Sequence, residues 1–141
     1  MKIKKEIILV IDDSYANLRL CNGLLKEEYD VRLAKSGEMA LNVLEKVKPD
    51  IILLDIKMPD MSGFGFLKEI SGDDELRVIP VIFVTAHATG EYLSDALNYG
   101  AADYIVKPYK SDVLRAKIQN ALNKRKTNSS NKIMSSHYIN P

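Results

Sequence analysis

At 141 residues, 46% hydrophobic and 28% charged, the chain is long enough for one domain with a packed core and too short for two large ones. A formal net charge of +1 gives no overall pull toward nucleic acid or an acidic surface, so any electrostatic function has to be local. The single Cys21 excludes an internal disulfide, and no apolar run approaches the roughly 20 residues of a membrane span. The apolar stretch Ile7 to Ile11 is short and followed at once by two acids, so no secretory leader is expected. A soluble cytoplasmic protein is the expectation.

Taken in chain order, five short runs rich in Val, Ile and Leu read as strands: Ile7 to Ile11, Val31 to Ala34, Ile51 to Leu54, Val81 to Val84, and Tyr104 to Val106. Runs that are continuous rather than alternating suggest strands covered on both faces, as in a parallel sheet. Between the first strands lie helical stripes: Leu18, Cys21, Leu24 and Leu25, then Ala40, Leu41, Leu44 and Val47. Ser36 reads as a cap of the second helix and Pro49 as its stop. A third helix is expected around Gly63 to Ile70, although Gly63 and Gly65 weaken it. Gly100 can end a fourth helix, and Ser111 can cap a fifth with the stripe Leu114, Ile118, Ala121 and Leu122. From Thr127 the sequence turns polar and loses its periodicity, so residues 127–141 read as a disordered tail or the start of a linker after a domain at 1–126. Strand and helix alternate five times, which predicts right-handed βαβ units and an α/β fold, an open doubly wound parallel sheet with helices on both sides.

Ligands of such sheets bind at the carboxyl ends of the strands. Asp12 and Asp13 follow the first strand, Asp55 the third, Thr85 the fourth and Lys107 the fifth. If those strands are neighbours, three carboxylates converge with an ammonium and a hydroxyl beside them. Carboxylates so close repel unless a cation lies among them, and a hard divalent ion such as Mg²⁺ suits an all-oxygen donor set. Lys107 then offers positive charge, and Thr85 a hydrogen bond, to a phosphoryl group. Asp55, between the acidic pair and the basic residue, is the best-placed nucleophile.

Four motifs carry a resemblance: VIDDS at 10–14, LLDIKMPDMSG at 53–63, VTA at 84–86 and GAADYIVKP at 100–108. In that order and spacing the sequence resembles the receiver domain of bacterial two-component response regulators, over roughly residues 6–124. The resemblance implies a flavodoxin-like sheet of order 2-1-3-4-5. It implies that Asp55 takes phosphate from a phosphohistidine of a histidine kinase or histidine phosphotransfer protein. Mg²⁺ (or Mn²⁺) would be held by Asp13, Asp55 and the Lys57 carbonyl, with Asp12 acting mainly through metal-bound water. Lys107 would pair with phosphoryl oxygens ahead of a cis bond to Pro108, and Thr85 and Tyr104 would form the switch pair. The output face would lie around the fourth helix, fifth strand and fifth helix, where Tyr92, Tyr99 and Tyr109 are candidate partner contacts. Lys57 and His87 are expected to tune the lifetime of the phosphoryl group. A signalling switch that promotes its own phosphorylation and dephosphorylation is implied, rather than a turnover enzyme. Its output partner is unspecified, and a phosphorylation-dependent homodimer is one form the output could take.

Blander roles exist for each residue alone. Asp12 and Asp13 could be helix-capping acids, Thr85 a strand residue and Tyr104 core. Cys21, on an apolar stripe, reads as a buried structural thiol. The basic run at 124–126 reads as a solvated helix end rather than a nucleic-acid contact. A haloacid dehalogenase-type phosphatase would carry an Asp where Lys57 stands, and a flavodoxin would not carry two acids after its first strand. The remaining alternative is a receiver-like interaction module that works without phosphorylation.

Overall fold

The computed structural model describes residues 4–56, 61–86 and 90–138. Its elements run β1 (Ile7–Ile11), α1 (Tyr15–Leu25), β2 (Asp30–Ala34), α2 (Gly37–Lys46), β3 (Ile51–Asp55), α3 (Gly63–Ser71), β4 (Val81–Thr85), α4 (Gly90–Asn98), β5 (Asp103–Val106) and α5 (Ser111–Tyr138). The strands form one parallel sheet in the order β2-β1-β3-β4-β5, the expected flavodoxin-like order.

Strand alternation sorts the apolar residues into two cores. Ile8, Val10, Ile51, Leu53, Ile82, Val84 and Ile105 face Leu18, Cys21 and Leu25 of α1 and Leu114, Ile118 and Leu122 of α5. Leu9, Ile11, Ile52, Leu54, Val81 and Phe83 face Ala40 of α2, Phe66, Leu67 and Ile70 of α3, and Ala96 of α4. Both faces are therefore covered, which is why the strands read as continuous apolar runs. Phe66 and Phe83 are wholly buried in the second core, where truncation to Ala would cost about 3–5 kcal/mol each.

Caps set the helix boundaries. The Ser14 and Ser36 hydroxyls accept from Asn17 N and Met39 N at the starts of α1 and α2. Ser62 does the same for Gly65 N at 3.0 Å, which offsets the weak helix propensity of the glycines that open α3. Beyond α2 the chain becomes extended at Val47, two residues before Pro49. Gly100, with φ of +97°, ends α4 in a Schellman turn: Gly100 N bonds to Leu97 O and Ala101 N to Ala96 O. Ser111 is the first helical residue of α5, one place inside the expected cap position.

Residues 127–138, which read in sequence as part of a disordered tail or the start of a linker, are helical here: α5 continues without a break to Tyr138. Residues 111–138 contain neither Pro nor Gly, and each residue added to an existing helix gains a hydrogen bond without a new nucleation cost. Ending the apolar stripe removed the packing signal but supplied no stop signal.

Candidate functional site

The site lies at the carboxyl edge of the four strands β1, β3, β4 and β5. Ile11 pairs with Leu54, so the next residues along, Asp12 and Asp55, stand side by side. Carboxylate oxygens of Asp12, Asp13 and Asp55 lie within 4.8 Å of one another, a group that could hold a metal ion. Asp12 is buried, Asp55 half-buried and Asp13 exposed, so the cluster is rooted in the fold and open to solvent on one side.

Asp12 is heavily engaged. One carboxylate oxygen accepts from Ser14 N at 2.9 Å. The other accepts from the Lys107 ammonium at 3.0 Å and from Asn17 Nδ2 at 3.3 Å. Three donors therefore occupy most of the lone pairs of a residue only 5% exposed. Helix capping falls to Ser14, so capping does not account for the acidic pair.

Thr85 ends β4 beside β5 and is 1% exposed. Its carbonyl accepts from Lys107 N at 2.7 Å, which continues the ladder to the residue that bears the ammonium. The bond from Lys107 to Pro108 is cis, as the resemblance implies. Phe83 pairs with Tyr104 and Thr85 with Val106, so by the two-residue alternation Thr85 and Tyr104 share the α3/α4 side of the sheet. Tyr104 is half-buried, and the Lys117 ammonium sits 5.2 Å from its ring centroid. Lys117 is also paired with Asp103 at 3.0 Å.

The structure thus brings together Asp12, Asp13, Asp55 and Lys107, with Thr85 at the adjoining strand end. Lys57 and His87 lie outside the described residues. Of the three tyrosines assigned to the output face, Tyr99 at the end of α4 is half exposed and packs on Phe64, ring centroids 5.1 Å apart. The side chain of Tyr92 lies outside the described residues. The Tyr109 hydroxyl meets Cys21 of α1 at 3.0 Å, and its side chain packs against the core shared by α1 and α5. Burial holds the Tyr109 hydroxyl above its usual range, with the Cys21 hydrogen bond adding to the shift. Sequence reasoning missed Asn17, the Cys21–Tyr109 contact and the Asp103–Lys117 pair. A polar residue on the first turn of α1 was the one available signal for Asn17; the others depend on long-range packing.

A family profile described as the response regulator receiver domain matches residues 8–119. Among curated proteins, the response regulator PleD of Caulobacter vibrioides is 40% identical over 114 residues, which cover 79% of this chain and 25% of that protein. A probable cyclic di-GMP phosphodiesterase of Vibrio cholerae is 36% identical over 119 residues, 84% of this chain and 27% of that protein. The chain therefore spans about a quarter of the length of these two relatives. A CheY-like receiver domain protein from Methanospirillum hungatei superimposes with a TM-score of 0.81 at 31% identity, covering 89% of this chain and 99% of that one. The chemotaxis protein CheY4 of Vibrio cholerae gives 0.79 at 27% identity, covering 83% and 98%.

Proposed function

The chain belongs to the response regulator receiver domain family, and from that membership we propose that it is a phosphorylation-dependent switch whose Asp55 carboxylate accepts a phosphoryl group from a phosphohistidine. The donor is a histidine kinase or a histidine phosphotransfer protein. As the Asp55 oxygen bonds to phosphorus the P–N bond breaks, and the imidazole keeps its electron pair. The observation that carries this reading is the approach of the Asp12, Asp13 and Asp55 oxygens within 4.8 Å beside the Lys107 ammonium.

Asp13 and Asp55, with the Lys57 carbonyl, are the oxygen donors that would hold Mg²⁺ (or Mn²⁺), and Asp12 would act through metal-bound water. The all-oxygen donor set fits a hard cation, which would supply positive charge to the phosphoryl oxygens. The engagement of Asp12 by Ser14, Asn17 and Lys107 supports its indirect role. Lys107 turns its ammonium from Asp12 toward a phosphoryl oxygen, and the Thr85 hydroxyl donates to another. Tyr104, on the same side of the sheet, then reorients and alters the α4-β5-α5 face. Such a switch needs only a few kcal/mol of differential stabilisation. Lys57 and His87 tune the lifetime of the aspartyl phosphate.

The protein works in the cytoplasm, where an output partner, an effector domain or a second copy of the chain reads the altered face. Among the described residues no helix is long and apolar enough to cross a membrane. The chain promotes its own phosphorylation and dephosphorylation and does not act as a general phosphatase.

Intact mass after incubation with acetyl phosphate and Mg²⁺ tests the reading. A gain of one phosphoryl group is expected in the wild type and not in Asp55→Asn. No gain with acetyl phosphate or with a kinase as donor would overturn the reading and favour an interaction module independent of phosphorylation.

A further inference from the structure

The loop between β5 and α5 is tied to α1 at two points on either side of Pro108. On one side the Lys107 ammonium donates to Asp12 at 3.0 Å, at the entrance to α1. On the other the Tyr109 hydroxyl and the Cys21 thiol are 3.0 Å apart, two turns along the same helix. Cys21 is 5% exposed and shares the buried face of α1 with Leu18 and Leu25. Tyr109 is half-buried against that core. Each polar atom thus finds its partner where burial limits access to water, and losing either partner leaves the other without one.

We propose that the Cys21–Tyr109 hydrogen bond is a positioning contact that holds the β5–α5 loop, and with it the Lys107 ammonium, in register with the phosphoryl site. The proposal rests on the reading of Asp55 as phosphoryl acceptor for its functional consequence, but not for its structural one. Lys107 has to reach either Asp12 or a phosphoryl oxygen from one backbone position. Its own N–H is fixed to Thr85 O at 2.7 Å, so the strand side of the loop is held by the sheet. The helix side is held by Tyr109. A loop anchored at both ends lets the side chain move while the backbone stays, and such placement is what phosphoryl transfer requires of a protein. Burial, opposed in part by the Tyr109 hydrogen bond, holds the Cys21 thiol above its usual range, so at neutral pH the pair is a neutral thiol and a neutral phenol. The contact therefore positions without adding a charge next to Asp12.

Tyr109→Phe removes one oxygen and keeps the ring. In that variant the Lys107 ammonium signal, followed by ¹⁵N-edited NMR, is expected to shift and broaden, and the rate of phosphorylation by acetyl phosphate to fall roughly fivefold, the effect of one net hydrogen bond. Cys21→Ala reproduces both changes, whereas Cys21→Ser, which can still hydrogen-bond the phenol, restores them toward wild type. Thermal melts confirm that each variant is folded. An unmoved Lys107 signal in Tyr109→Phe overturns the proposal, as does a moved signal with an unchanged rate in a phosphorylatable protein. If wild type takes no phosphoryl group, the NMR comparison still decides the positioning, and the functional reading alone has failed.

Discussion

Gly63 shows how closely the acceptor strand and the helix that follows are fitted. A Cβ built there would lie 2.5 Å from Asp55 O, 2.8 Å from Ile56 Cα and 2.9 Å from Phe83 Cε1. Two of those neighbours are backbone at the end of β3 and cannot rotate away, and the third is a wholly buried ring. The approach is held by the bond from Gly63 N to Ile56 O at 2.7 Å. Gly63→Ala is therefore expected to cost about 2 kcal/mol in urea unfolding and to slow phosphorylation by displacing the Asp55 backbone. Gly23, in α1, meets nothing within 4 Å, so Gly23→Ala serves as the contrast and should stabilise by roughly 0.5–1 kcal/mol. Equal stability of the two variants would remove the argument that Gly63 is needed for close approach rather than for flexibility.

At the scale of elements, β5 and α5 are joined by a small polar device around Tyr104. One Asp103 carboxylate oxygen accepts from Tyr104 N at 2.8 Å and from the Lys117 ammonium at 3.0 Å, and that ammonium lies over the Tyr104 ring. Lys117→Met keeps the aliphatic stem and removes the cation. It is expected to lower stability by about 1 kcal/mol and to change the Tyr104 ring resonances in two-dimensional NMR. A wild-type unfolding midpoint with unmoved resonances would show that the cation does not hold the ring. This device also marks the limit of what could be read from residues in order. Strands such as Ile51–Asp55 were legible because burial on both faces leaves a continuous apolar run, and Asp12, Asp55, Thr85 and Lys107 were legible because each ends or follows such a run. The cap at Ser36 and the left-handed Gly100 followed from local chemistry. Contacts between Cys21 and Tyr109, 88 positions apart, depend on which helix packs beside which loop, and no local pattern records that. The extension of α5 escaped for the opposite reason: a polar helix has no apolar period, and only a breaker would have announced its end.

For the molecule as a whole, the displaced protonation equilibria of three weak acids among the described residues point one way. Burial raises the Cys21 thiol above its ordinary 9.0 and the Tyr29 hydroxyl above its ordinary 10.0, with the Tyr109 hydroxyl raised as well. All three are acids that the fold keeps neutral. Below the unfolded-state value of each group, folded and unfolded chains hold the same protons and stability does not depend on it. As pH climbs past that value, the unfolded chain releases a proton that the folded chain retains. The unfolded state then binds fewer protons, so the slope of unfolding free energy with pH is negative and the fold weakens. The decline should begin near pH 9 with Cys21 and steepen near pH 10 as Tyr29 and Tyr109 join it. Urea midpoints measured from pH 7 to 10.5 are expected to stay level at first and then fall. Each of Tyr109→Phe and Cys21→Ala, with one such group removed, should show a shallower fall from its own neutral-pH midpoint. The same steepness in wild type and both variants would mean that other groups govern the alkaline limit of this fold.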